Sequence, residues 1–142
     1  MAELLPANNA TPTGRLLVVG LGLIGGSLAL AARQRHLFSE IIGASRSPTT
    51  LQKALELGVV DRVESDLPTA LAAMGAGDIV VVGVPTLTVP KIISQLREHL
   101  APEVSFTDVA SVKGSIVAAV KDIYGSVPEQ FVPGHPIAGS EK

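Results

Sequence analysis

Hydrophobic residues follow two alternating patterns along the chain. Short, dense apolar runs indicate buried strands, and they alternate with segments in which apolar residues recur every three or four positions, as on one face of a helix. Because strands and helices take turns, the pattern predicts an α/β fold, a doubly wound and mostly parallel sheet with helices on both faces. The predicted strands are Arg15–Gly20, Glu40–Ser45, a short Arg62–Glu64, Asp78–Val84 and Val104–Asp108, followed by Gln130–Pro133 as a sixth strand or an extended segment.

Each of the first five predicted strands leads into a segment with helical periodicity. Ser47 followed by Pro48 is typical of a helix start, since a serine oxygen can cap the first turn and proline fits its first position. Gly58 is expected to end that helix. The other predicted helices are Leu23–Arg35, a short one from Asp66 or Leu67 to Met74, one carrying Val89, Ile92, Ile93, Leu96 and Leu100, and one carrying Ile116, Val120, Ile123 and Tyr124.

The composition is that of a globular protein. Of the 142 residues, 46% are hydrophobic and 17% are charged, which allows one domain with a buried core. The net charge of −2 gives no reason to expect nucleic acid or a membrane as a partner. The chain has no cysteine for a disulfide or a zinc–thiolate site, and we expect no metal. Its start lacks the basic and apolar regions of a signal peptide, so a cytoplasmic protein is expected.

A glycine motif, Gly20-x-Gly22-x-x-Gly25, lies between the first predicted strand and the first predicted helix. In that position the spacing is typical of a dinucleotide site, whose pyrophosphate lies on the unpaired amides at the positive end of the helix. The first glycine allows the tight turn, the second a close approach of the phosphates, and the third close packing of helix on strand. A turn that binds nothing is the alternative. The predicted phosphate-binding residues are Gly20, Gly22, Leu23, Ile24 and Gly25.

The end of the second predicted strand gives an expectation about the cofactor. About 20 residues beyond such a glycine motif, a carboxylate usually binds the adenosine 2′-hydroxyl of NAD. Here the sequence reads Ser45, Arg46 and Ser47, a cation and two hydroxyls that suit a 2′-phosphate. We therefore expect these residues to bind the cofactor, with NADP preferred over NAD. The alternative is that Arg46 is an ordinary surface arginine and that Ser47 only caps a helix.

Further candidates follow the later strands, because ligands of such sheets bind beyond the carboxyl ends of the strands. After the fourth strand, Val84 and Pro85 are expected on the nicotinamide side, although a turn that starts the next helix explains Pro85 equally well. After the fifth strand, Ser111 can hydrogen-bond a substrate hydroxyl or a catalytic histidine, or else cap the next helix. Lys113 is expected on the same edge.

Of the three histidines, His135 is the candidate base. It follows the last extended segment in a loop bounded by glycine and proline, where an imidazole can take the proton of a hydroxyl as hydride leaves the same carbon. Its position in the sequence is equally compatible with a purely structural role for His135. His36 and His99 fall near the ends of predicted helices, where solvent or the helix dipole accounts for an imidazole.

Three segments, VVGLGLIGGS, TDVASVKG and GHPIAGSE, together resemble the prephenate/arogenate dehydrogenase family of tyrosine biosynthesis. The resemblance implies a Rossmann-type domain and hydride transfer from the hydroxylated ring carbon of prephenate or arogenate to NAD(P). Loss of CO₂ then gives 4-hydroxyphenylpyruvate or tyrosine. The resemblance also implies that His135 is the base, that Ser111 positions the hydroxyl and the nicotinamide, and that Glu141 belongs to an ionic network at the mouth of the site. We group Lys113 with Glu141 as substrate-contacting or gating residues.

The resemblance also sets expectations about domain organisation. We expect residues 1–13 to form a flexible N-terminal arm and residues 14–142 to form the NAD(P)-binding Rossmann domain. Family members continue into a helical domain that binds the substrate carboxylates and makes a homodimer, so we expect this chain to be the cofactor-binding portion and poorly active alone. The alternatives are another β-hydroxyacid-type NADP dehydrogenase, a non-catalytic dinucleotide-sensing module, or a domain for another ligand such as S-adenosylmethionine.

Overall fold

One parallel sheet organises the part of the chain that the computed structural model describes, residues 14–109 and 113–132. Its strands are β1 (Arg15–Val19), β2 (Glu40–Ala44), β3 (Arg62–Glu64), β4 (Ile79–Val82) and β5 (Ser105–Asp108). All neighbours pair in parallel, in the order β3-β2-β1-β4-β5. Because the chain starts at the centre and adds strands first on one side and then on the other, the sheet is doubly wound, which confirms the predicted fold class.

Helices cover both faces of this sheet. They are α1 (Leu23–Gln34), α2 (Pro48–Glu56), α3 (Leu67–Ala72), α4 (Val89–His99) and α5 (Lys113–Tyr124). Leu16 and Val18 pack with α1 and α2, whereas Leu17 and Val19 pack with α3, α4 and α5, since successive strand residues face opposite sides. These four β1 side chains are at most 4% exposed, which explains why the strand sequence is apolar throughout rather than alternating.

Most predicted elements are confirmed, with boundaries that differ by at most three residues. Ser47 caps α2 by accepting a hydrogen bond from the backbone N–H of Thr50 at 3.2 Å, and Pro48 is the first helical residue. Several elements are one residue shorter than predicted, and two are shorter by two or three residues. The fourth strand does not include Asp78 or the residues from Gly83 onward, which lie in the connections at its two ends, and α3 stops at Ala72 rather than Met74.

The segment predicted as a sixth strand makes a single β-bridge. Phe131 pairs in parallel with Phe106 of β5. The backbone N–H of Phe106 donates to the carbonyl of Gln130 at 2.9 Å, and the N–H of Val132 donates to the carbonyl of Phe106 at 2.9 Å. Pro133 lies outside the described residues. Residues 130–132 therefore run beside β5, in its direction, without forming a full strand.

The buried carboxylate of Asp78 joins the beginnings of β1 and β4. It accepts hydrogen bonds from the backbone N–H of Arg15 at 2.8 Å, from the Arg15 guanidinium at 2.9 Å and from the backbone N–H of Gly75 at 2.8 Å. Burial disfavours the charged carboxylate, but these donors outweigh that effect and hold the pKa of Asp78 below its usual value. This contact fixes the amino edge of the sheet.

Two further ion pairs stabilise the same amino edge. Asp61, just before β3, accepts hydrogen bonds from the backbone N–H of Ile41 at 2.8 Å and from the Arg33 guanidinium of α1 at 2.9 Å. Glu40 begins β2 and Arg62 begins β3, and the Arg62 Nε atom lies 3.1 Å from the Oε2 atom of Glu40. The described ion pairs that join different elements therefore lie at the edge opposite to the carboxyl ends of the strands.

We predict that Asp78→Ala lowers the free energy of unfolding by about 2–4 kcal/mol, because the Arg15 guanidinium and two N–H groups lose their acceptor. The lowered pKa also predicts acid sensitivity of the unmodified protein. The contribution of Asp78 to stability is complete above about pH 4 and is lost as the pH falls through the pKa of the folded state. Urea unfolding at neutral pH and at successively lower pH measures both effects.

Asp122→Ala is the matched control for this prediction, because Asp122 is exposed on α5. We expect it to change the free energy of unfolding by no more than about 0.5 kcal/mol. If both variants lose the same free energy of unfolding, the contact of Asp78 does not stabilise the sheet. The same conclusion follows if acid lowers the free energy of unfolding of Asp78→Ala as much as that of the unmodified protein.

Candidate functional site

A groove of about 850 Å³ opens at the carboxyl edge of the sheet. Its floor is formed where β1, β2, β3 and β4 end, and one face of α4 forms part of its wall. Parallel sheets of this type bind ligands at this edge, and the volume is that of a cofactor pocket. The groove is therefore the candidate functional site.

The motif glycines have different positions around the start of α1. Gly20 has a φ of 97°, and a Cβ there would lie 2.7 Å from the carbonyl oxygen of Gly83. A Cβ at Gly25 would lie 2.1 Å from the carbonyl oxygen of Gly20, so α1 packs directly on the turn. Gly22 lines the groove, and beyond its neighbours in the chain no described atom lies within 4 Å of the position of a Cβ there. Gly20 and Gly22 line the groove, whereas Gly25 is buried and acts through packing.

The beginning of α1 presents unpaired backbone donors at this groove. Gly22 occupies the N-cap position without a side-chain cap, and the first turn has no acidic residue. The first backbone N–H groups of a helix lack partners within the helix, and the helix dipole adds positive potential. Leu23 and Ile24 provide backbone to this turn, while their side chains lie outside the described part. The arrangement fits an anion such as a pyrophosphate.

The predicted residues at the end of β2 all line the groove. The Ser45 hydroxyl oxygen accepts the backbone N–H of Ser47 at 3.1 Å, and that of Ser47 accepts the N–H of Thr50. The hydroxyl hydrogens of Ser45 and Ser47 remain available as donors, so capping does not remove Ser47 from the site. Arg46 is exposed and makes no hydrogen bond or ion pair with the described residues. The groove thus holds an uncommitted cation beside two hydroxyls.

Val84 and Pro85, after β4, also line the groove, and their contact with the nicotinamide side stays a prediction. The carbonyl of Pro85 accepts the backbone N–H of Thr88 at 2.8 Å and begins a short 3₁₀ turn that precedes α4. The turn interpretation of Pro85 is therefore confirmed, and it is compatible with a position in the groove wall. Val109, the residue after β5, lines the same groove.

Four predicted residues cannot be placed relative to the groove. Ser111, His135 and Glu141 lie outside the described residues. Lys113 is the first residue of α5, but its side chain lies outside the described part. Their roles stay predictions.

The far wall of the groove was not predicted from the sequence. It comes from the beginning of α3, where Leu67 and Pro68 lie, and from α4. The sequence did contain a signal for the α4 part of this wall. Thr88, Lys91 and Gln95 are three or four positions apart, so they share one polar face of a helix. Lys91 adds a second cation, and Asp66, also not predicted, is the acidic residue among the described lining side chains.

The described residues also bear on metal and membrane binding. Within residues 14–109 and 113–132, no group of three or more histidine, aspartate or glutamate side chains could hold a metal ion. No helix in that part of the chain is long and apolar enough to cross a membrane.

The family model described as prephenate dehydrogenase, nucleotide-binding domain, matches residues 28–142. The chain belongs to this family. The match favours the prephenate dehydrogenase family over the β-hydroxyacid-type dehydrogenases and over an unrelated α/β domain. It begins within α1, so the geometry of the glycine turn is evidence additional to the match.

Individual members of the family are similar over most of this chain. A prephenate dehydrogenase from Lactococcus lactis is 32% identical over 129 residues, covering 90% of this chain and 35% of that protein. The crystal structure of prephenate dehydrogenase from A. aeolicus, in complex with hydroxyphenyl propionate and NAD+, is 32% identical with a TM-score of 0.76, covering 92% of this chain and 44% of that one. The crystal structure of Synechocystis arogenate dehydrogenase is 36% identical with a TM-score of 0.72, covering 90% of this chain and 42% of that one. The chain thus spans about a third of the length of the Lactococcus relative.

We predict different effects for alanine at two of the motif glycines. Gly25→Ala should lower the free energy of unfolding by about 1–3 kcal/mol, because its Cβ meets the Gly20 carbonyl and α1 must shift. Gly22→Ala should change stability by less than about 1 kcal/mol but weaken binding of a pyrophosphate-bearing ligand, because its methyl group enters the groove. Urea unfolding and calorimetric titration measure these effects.

Each glycine variant serves as the other's control. Equal destabilisation by both would mean that α1 is not held against the Gly20 carbonyl as described. Unchanged ligand binding by Gly22→Ala would mean that the phosphates do not approach Gly22.

Proposed function

We propose that the chain is the cofactor-binding portion of an NADP-preferring dehydrogenase that oxidatively decarboxylates prephenate or arogenate. The observation that carries the proposal is the groove that meets the open start of α1 at Gly22, in a member of the prephenate dehydrogenase family. The A. aeolicus relative was crystallised with NAD+, which supports a nicotinamide cofactor for this chain. In this proposal, residues 14–142 form the NAD(P)-binding domain.

In the proposed reaction the hydroxyl-bearing ring carbon loses a hydride and the hydroxyl loses its proton. The ring carboxylate leaves as CO₂, the electrons of the broken carbon–carbon bond complete the aromatic ring, and the ring oxygen takes a proton back to give the phenol. The nicotinamide, when bound, accepts the hydride. The protein has to hold the substrate carbon in position and remove one proton, because aromatisation makes the loss of CO₂ strongly favourable.

We assign the removal of the proton to His135. Residues 130–132 run parallel to β5 and so head toward the carboxyl edge, three residues before His135, which supports a position near the groove. Ser111, which follows β5, is assigned to position the hydroxyl and the nicotinamide. Lys113 and Glu141 are assigned to the substrate side of the site.

We assign the preference for NADP to Arg46. Its guanidinium is free of described partners, and the Ser45 and Ser47 hydroxyls beside it can donate to phosphate oxygens. Residues 44–50 contain no carboxylate that would repel a 2′-phosphate. Asp66 is the acidic residue of the described groove wall and comes from the end of β3 instead.

The complete protein is proposed to act as a homodimer on a small-molecule substrate. The family resemblance supports this assignment, and the groove described above is the part that binds the cofactor. A dinucleotide-sensing module is the second candidate function, since cofactor binding alone requires nothing beyond the groove.

We predict that Arg46→Ala weakens NADP binding by at least about tenfold, or ~1.4 kcal/mol, and leaves NAD binding nearly unchanged, because only NADP carries the 2′-phosphate. Calorimetric titration of the chain with each cofactor measures this. Arg35→Ala, just after α1 and outside the groove, should change neither affinity. Equal binding of NAD and NADP by the unmodified chain would contradict the assigned preference, and binding of neither would contradict the proposed function.

We predict that His135→Asn in the complete gene product abolishes most substrate-dependent NADPH formation while NADP affinity is retained, because the proton acceptor is lost. Activity of the unmodified protein should rise with pH as this histidine loses its proton, since only the neutral imidazole accepts a proton. Absorbance of NADPH, followed with prephenate and with arogenate, measures both.

His99→Asn is the matched control for the base, because His99 ends α4 and does not line the groove. It should keep the activity and the pH profile. Cofactor binding by the complete protein without any turnover of either substrate would favour the dinucleotide-sensing module.

A further inference from the structure

Two buried carboxylates lie at opposite edges of the sheet. Among the residues that the structure describes, Asp78 is 6% exposed at the amino edge, and Asp108 is 2% exposed at the carboxyl edge as the last residue of β5. The contact of Asp78 with Arg15 explains the first of them. Burial of a carboxylate is costly unless donors surround it, so the position of Asp108 needs a physical cause of its own.

Asp108 lies on the face of the sheet that α5 covers. Alternate residues of a strand face the same side, and Phe106 and Asp108 are the two buried residues of β5. Phe106 stacks on Tyr124 at the end of α5, with the ring centroids 5.9 Å apart. Asp108 is two residues further toward the carboxyl edge, and the chain continues from it to Lys113, where α5 begins. The carboxylate is therefore on the side to which the connection between β5 and α5 has to cross.

The connection between β5 and α5 starts at the groove. The backbone N–H of Val109 donates to the carbonyl of Val82 at 3.0 Å, so the chain still follows the sheet at this residue. Val109 lines the groove and packs on the face of the sheet opposite to Phe106. Ser111, assigned above to the hydroxyl and the nicotinamide, comes two residues later. Asp108 does not line the groove itself, so it can act on a ligand there only through this connection.

We propose that Asp108 is a positioning residue that holds the connection carrying Ser111 in place beside the nicotinamide. Its carboxylate accepts hydrogen bonds from this connection and from the beginning of α5, whose first backbone N–H groups have no partners within the helix. Charged acceptors make stronger hydrogen bonds than neutral ones, and a displacement of about 1 Å at a reacting centre can cost about 100-fold in rate. The inference rests on the proposed function, because it assumes that Ser111 contacts the reacting groups.

The test measures kcat, KM and NADP affinity separately in the complete gene product. Asp108→Asn keeps the size of the side chain but replaces one acceptor oxygen with a donor group. It should lower kcat for substrate-dependent NADPH formation by at least about tenfold, while the KM of the substrate and the Kd of NADP change by less than about threefold. Asp108→Glu keeps the charge but lengthens a buried side chain, so it should also lower kcat by displacing the connection. This second variant decides the question if Asp108→Asn does not fold.

A double variant tests whether Asp108 acts through Ser111. Ser111→Ala alone should lower kcat. Adding Asp108→Asn to it should lower kcat by less than about twofold further, because the hydroxyl that Asp108 positions is already absent. Two independent losses that multiply in the double variant overturn the inference.

Asp78→Asn is the matched control, because Asp78 is the buried carboxylate at the opposite edge. It should lower the midpoint of urea unfolding and keep the kcat of the folded protein. A purely structural role of Asp108 would give this same pattern in Asp108→Asn, and that result overturns the inference while leaving the proposed function intact. A loss of NADP affinity as large as the loss of kcat also overturns it. Absence of turnover of either substrate by the unmodified protein overturns both.

Discussion

The structure depends on how closely the first helix approaches the first strand. The carbonyl oxygen of Gly20 occupies the space that any side chain at Gly25 would need, and Gly83 at the end of β4 closes the same point from the neighbouring strand. A bulkier residue at this crossing would displace α1 and with it the unpaired N–H groups that face the groove. The same close contact therefore packs α1 against the core and sets the position of the positive end of its dipole.

The two edges of the sheet have different roles. At the amino edge, Asp78 and Asp61 are held charged by arginines and backbone donors, and their pKa values are lowered although burial opposes this. At the carboxyl edge, Arg46 and Lys91 line the groove without hydrogen bonds or ion pairs to the described residues. Charges that stabilise the fold are thus separated from charges that are available to a ligand.

Local sequence patterns predicted the elements that depend on neighbouring residues. The apolar run of β1, the Ser47 cap and the glycine turn are all encoded within a few positions, and the structure has each of them. The contact of Asp78 with Arg15 joins residues 63 positions apart, and no local pattern reveals it. The far wall of the groove was missed in part for the same reason: helical spacing reveals the shared face of Thr88, Lys91 and Gln95, but not that this face lies beside the beginning of α3. Ser111 and His135 were singled out by their positions after predicted strands, and the family resemblance added specific roles that stay predictions.

The turn at the end of β2 has a consequence for how this protein can evolve. Ser45 and Ser47 serve the backbone through their hydroxyl oxygens, whereas the Arg46 side chain has no such duty among the described residues. Arg46 can therefore be substituted without lowering the stability of the fold. The NADP preference proposed above would thus rest on one exposed side chain, which can be replaced while the packed core is inherited unchanged.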